Sequence, residues 1–143
     1  MRLAGHPLHP MLVHFPIAFW TSAFGADICG LFFNALPFAA LAFGASALGC
    51  LLGLIAMLAG IVDFTALPED SPARDTAVTH MMLMCGAWLL FLVGLALRGY
   101  PPTDPAPLGA IIVSALGFAI MAAGGWLGGR LVYEFGVGRK RPD

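Results

Sequence analysis

The segment GHPLHPMLVHFP, Gly5 to Pro16, places His6, His9 and His14 among prolines and apolar residues. A fourth histidine, His80, opens a later apolar run. Neutral imidazole is the commonest metal ligand among side chains. Asp63 can add a carboxylate, and HMMLMC, His80 to Cys85, adds soft sulfur suited to Cu(I). Consecutive residues on a helix point in different directions, so within that string only His80 and Met84 share a face. The chemistry open to this set is axial ligation of haem, or binding of zinc, copper or iron.

These side chains must be held by elements built for lipid. Of 143 residues, 59% are hydrophobic and 10% charged, and the mean hydropathy is +0.88. A soluble domain carries about 25% charged residues. A helix crossing a bilayer needs about 20 mainly apolar residues. Four segments qualify: Met11 to Phe33, Pro37 to Phe64, Val78 to Leu97 and Leu108 to Val132. Their apolar runs are continuous rather than alternating, which selects helices over a barrel. The expected fold is an all-α four-helix transmembrane bundle, a single domain over residues 1–143. Proline and glycine mark the links NALP and GYPPTDPAP. The stretch EDSPARD, Glu69 to Asp75, reads as a solvated turn, and GVGRKRPD as a basic tail able to meet anionic lipid. The first apolar segment exceeds the usual 7–15 residues of a signal-peptide core, and its start, with two His-Pro pairs, is unlike a basic n-region, so it is expected to be retained.

Cys29, Cys50 and Cys85 fall inside spans, where a free thiol behaves as a small apolar group, and no CxxC pair occurs. A net charge of -1 gives no reason to invoke nucleic acid. No GxSxG, phosphate loop or HExxH is present, so an electron carrier or subunit is expected rather than a stand-alone enzyme.

With four spans, both termini and the middle loop share one side. That side holds Arg2, Arg74, Arg130, Arg139, Lys140 and Arg141, and the opposite side only Arg98. Basic residues favour the cytoplasm, so both termini are expected there. The same side gathers His6, His9 and His14 from helix 1, Asp63 from helix 2, His80 from helix 3, and Arg130, Tyr133 and Glu134 from helix 4. Ionisable groups in a membrane segment are functional candidates by default.

Steps of three or four residues suggest the inner faces. They run His14, Ala18, Thr21, Gly25, Cys29 on helix 1 and Ala45, Gly49, Gly53, Ala56, Gly60, Asp63 on helix 2. They run His80, Met84, Ala87, Phe91, Gly94 on helix 3 and Gly117, Met121, Gly124, Gly128 on helix 4. Small residues at this spacing permit close helix packing and also leave room for a flat cofactor. Three readings follow. Haem b bound by His14 and His80 would have its propionates near Arg130 or Arg74, and Asp63 could orient an imidazole. A transition metal ion could instead be held by the four histidines and Asp63. Alternatively His6 and His9, each preceding proline in an extended or turned arm, are interfacial, and the protein is an accessory subunit of a larger membrane complex or a homo-oligomer. Asp27, about 220° around its helix from His14, is expected to meet a partner subunit or lie near Asn34. Tyr133 and Trp126 suit the membrane interface.

The strings GHPLHPMLVHFPIAFW, Gly60 to Asp63, His80 and GGRLVYEFGVG, Gly128 to Gly138, resemble the pattern of a bacterial membrane family catalogued as domain of unknown function 2231. The resemblance touches all four helices. It implies a four-helix membrane domain, and relatives joined to Rieske-type or cytochrome c-type domains imply redox work. The matching positions are His6, His9, His14, Asp63, His80 and Tyr133. The expectation is a haem b-type electron-transfer protein or subunit of the bacterial inner membrane, with His14 and His80 as ligands. Its partners would be a quinone or a separate redox protein.

Overall fold

Proline placement explains how the first span is built. In the computed structural model, α1 covers Leu8–Leu12 and α2 covers His14–Gly30. Pro10 sits in the first turn, where its missing N–H costs nothing. Pro16 cannot donate to the carbonyl of Leu12, and the helix is interrupted at Val13. The backbone continues across the break, with Val13 N–H donating to His9 (3.1 Å) and Ile17 N–H to Val13 (3.3 Å). Together they form a 23-residue span, Leu8–Gly30. His9 is therefore helical, and only His6 lies in the extended arm. There β1 (Arg2–Leu3) pairs antiparallel with β2 (His6–Pro7). The structure describes residues 2–3, 6–33, 35–102 and 106–138, with the side chains of 2, 3, 6, 35 and 36 outside the described set.

The remaining spans are α3 (Ala35–Phe64), α4 (Pro72–Arg98) and α5 (Leu108–Tyr133). Each is long and apolar enough to cross a bilayer. Helix α4 begins at Pro72 rather than near Val78. The Ser71 hydroxyl accepts from Arg74 N–H at 3.2 Å, Pro72 follows as the first helical residue, and Asp75 complements the first turn. The string EDSPARD thus holds a helix start as well as a turn. At the other end Gly99, with φ 66°, ends α4 in a conformation that favours glycine.

The core inverts the pattern of a water-soluble bundle. Ala23, Ala42, Ala87, Ala110, Ser46 and Ser114 are buried, while Leu51, Leu58, Met82 and Leu116 face outward. Lipid supplies no hydrophobic drive between helices, so close backbone approach and dispersion hold them together. Trp20 and Phe91 are the large exceptions, fully buried and stacked with centroids 4.9 Å apart and planes 2° from parallel. Trp20 fits because a Cβ on Gly49 would stand 2.5 Å from its ring, and Phe91 because one on Gly117 would stand 3.1 Å away.

Packing is most extensive within two hairpins, α2–α3 and α4–α5, which meet through α3–α4 and α2–α5. The first and last described segments share one end of the bundle: a Cβ on Gly138 would lie 3.8 Å from that of Pro7. The inner faces expected for α3, α4 and α5 are the ones found. Helix α2 differs. Ala18, Thr21 and Gly25 face outward, and Pro16, Trp20, Ala23, Ala26 and Asp27 are buried. That inner face continues from His9, not from His14.

Candidate functional site

At the end holding Pro7 and Gly138, the helices part to form a cavity of about 680 Å³. Its walls are mainly apolar, including Pro16, Ile17, Met81 and Met84, and Trp20 borders it within the bundle. His9, His14, His80 and Asp63 all line it. Volumes of about 300–1,000 Å³ are typical of organic-ligand sites, far more than a bare ion needs.

Two histidines are held in the same way. His9 Nδ1 lies 2.7 Å from the carbonyl of Ala56, and His80 Nδ1 lies 2.8 Å from that of Gly124. A carbonyl only accepts, so each Nδ1 carries a proton, and the tautomer this bond selects leaves the lone pair on Nε2. Such a bond fixes both tautomer and ring orientation in metal-ligating histidines. Each ring also lies on a glycine. A Cβ on Gly60 would stand 2.9 Å from His9 Cε1, and one on Gly128 would stand 3.1 Å from His80 Cε1. Among the described residues, no hydrogen bond is made to Nε2 of either ring.

The other expected site residues are placed differently. His14 is exposed, and its Nδ1 is 3.4 Å from the Met11 carbonyl, too long to fix the ring. The His6 side chain lies outside the described residues. Asp63 lines the cavity and is itself engaged. Tyr133 is exposed at the rim. Arg130 is not on the cavity wall; its Nε and Nη2 bond Glu134, each at 2.9 Å. Arg74 donates to the Leu67 carbonyl at 3.1 Å and covers the Phe64 ring at 4.3 Å. Both arginines expected at a cofactor edge are thus held by local contacts.

Among the described residues no group of three or more His, Cys, Asp and Glu side chains is placed to hold a metal ion. Cys85 and Met57 bring two sulfurs within 3.8 Å on the cavity wall.

At the opposite end, Arg98 Nη1 and Nη2 donate to the two Asp27 oxygens at 2.7 and 2.6 Å, and Nη2 also reaches Ser114 Oγ at 3.0 Å. Of the two places expected for Asp27, a partner subunit or the far interface near Asn34, the side chain is at the far end and 3% exposed, and its charge is met within the chain by Arg98 rather than by a partner. Asn34 lies outside the described residues, as do Asp104, Arg139, Lys140 and Arg141. The pairing was within reach of the sequence, since two opposite charges at matching depth in apolar helices demand each other.

A four-helix membrane bundle with a histidine-bearing cavity at one end is thus the class of protein defined by fold and site. Residues 5–141 match the family described as Predicted membrane protein (DUF2231), and the chain belongs to that family. Neither the curated proteins nor the solved structures contain a significant match.

Proposed function

We propose that this protein binds haem b in the histidine-lined cavity and carries electrons in the bacterial inner membrane. The observation that carries the reading is the cavity itself: about 680 Å³ of mainly apolar space with three imidazoles at one bundle end. Four-helix bundles build cofactor sites in this manner, from side chains on facing helices. The donor chemistry fits. Neutral imidazoles with Nε2 lone pairs are axial haem ligands, and methionine and aliphatic walls suit a porphyrin face. Haem held there would supply one-electron transfer between a reduced donor, such as a quinol or redox protein, and an oxidised acceptor. The chain's own part is to orient the imidazoles, exclude water with the Trp20 end of the cavity, and leave one edge open toward the rim at Tyr133.

The cytoplasmic placement of both termini belongs to the same proposal. It is supported by the basic residues at the terminal end and by the inward pairing of Arg98, the one basic residue read at the other end.

Haem extraction and metal analysis of detergent-purified protein from haem-replete cells test the reading. One haem per chain is expected. Copper, zinc or non-haem iron without haem would move the site to a bare ion. Neither haem nor metal would leave an accessory subunit.

A further inference from the structure

The two hairpins repeat one another. The 71-residue step that separates Asp27 from Arg98 also carries His9 to His80 and Trp20 to Phe91. A second constant step, slightly shorter, carries Ser46 to Ser114, Gly49 to Gly117 and Gly60 to Gly128. The roles repeat with the positions. Trp20 lies on Gly49 as Phe91 lies on Gly117, and His9 lies on Gly60 as His80 lies on Gly128. Each imidazole bonds the carbonyl four residues before its glycine, Ala56 in one hairpin and Gly124 in the other.

Counterparts also touch. Trp20 stacks on Phe91, and Asp27 pairs with Arg98. A residue meets its own counterpart when a twofold axis passes between them, as at an isologous dimer interface. For parallel membrane repeats that axis runs along the membrane normal. It passes the ion pair at one end and the aromatic stack within, and the cavity lined by both His9 and His80 lies at the other end. His14 stands outside this relation. The same step carries it to Cys85, and among the described residues no short hydrogen bond fixes its ring.

The geometry points to His9 and His80 as paired donors, one from each hairpin, to a planar metallotetrapyrrole bound across the internal twofold axis. Two equivalent imidazoles suit a ligand that brings its remaining donors with it. This assignment rests on the haem reading and selects the pair within it. It replaces His14 with His9 as the partner of His80.

The test compares His9→Ala, His80→Ala and His14→Ala with the full-length wild type, all purified in one detergent from haem-replete cells. The expected result is loss of the six-coordinate spectrum in the first two and a wild-type spectrum in the third. His9→Met, which offers a thioether in place of the imidazole, covers a failure of the alanine variant to fold. It is expected to change the ligand-sensitive bands and raise the reduction potential. A wild type with haem whose spectrum survives His9→Ala or His9→Met unchanged would overturn the pair and leave the haem reading standing. Loss of the spectrum on His14→Ala would overturn it equally. A wild type without haem would overturn both.

Discussion

Asp27 and Arg98 form a two-pronged ion pair, 2.7 and 2.6 Å, between helices that are equivalent members of two repeated hairpins. Both side chains are almost wholly buried, at 0% and 2% exposure. A charge there has no water to turn to, so each partner exists on the condition of the other.

Asp27→Asn or Arg98→Met, made singly, leaves one buried charge unpaired. The expected cost is about 3–5 kcal/mol, read as a large fall in the melting temperature in detergent. The double exchange Asp27→Arg with Arg98→Asp should recover much of that loss. Ser114 already accepts from Arg98, while its counterpart Ser46 is buried with no hydrogen-bond partner for its hydroxyl among the described residues. The internal twofold relation places Ser46 to serve a guanidinium at position 27. An exchange no more stable than the worse single variant would contradict that relation.

Gly60→Ala and Gly128→Ala should each push an imidazole off its carbonyl, since the added methyl would stand 2.9 or 3.1 Å from the ring. Overpacking of this kind costs about 1–3 kcal/mol. Haem content should fall in both. A Cβ on Gly86 meets no side chain among the described residues within 4 Å, so Gly86→Ala should leave both stability and haem content unchanged. Equal haem content in all three would show that the glycine seats are irrelevant to the site.

Trp20→Ala and Phe91→Ala each remove half of the central stack. Losses of about 3–5 kcal/mol are expected from the cavity created. Trp20→Phe keeps an aromatic face and should be milder. Thermal unfolding followed by near-ultraviolet circular dichroism would measure all three, and matched stability of Trp20→Ala and wild type would contradict the packing described.

Fusions of a compartment-sensitive reporter to residue 143 and to the segment between α4 and α5 test the membrane orientation. Cytoplasmic signal at the chain end and external signal at the α4–α5 link are expected. The reverse pattern would place the cavity mouth on the outer face.

Much of this was legible in the sequence. Continuous apolar runs mark the spans, and the glycine and alanine steps from Asp63 and from Gly117 mark faces that are buried in the structure. The face of α2 is harder to read, because two His-Pro pairs favour an extended arm and a face stepped from His14 runs along the outer side of the helix. Proline in a first turn is compatible with helix, so counting from His9 through Val13, Pro16, Trp20 and Ala23 reaches Asp27. The Nδ1 bonds to Ala56 and Gly124 depend on how two helices approach each other. No spacing within one helix could have shown them. The repeat was present in the sequence as a constant step, but few identities accompany it. Trp20 answers Phe91 and Asp27 answers Arg98, so it became visible through contacts rather than letters.

The most direct measurement is the visible spectrum of the purified protein before and after dithionite. A Soret band that sharpens on reduction, with a narrow α-band, is the expected result and is the mark of six-coordinate haem iron. A flat spectrum from cells with ample haem would contradict the proposed function.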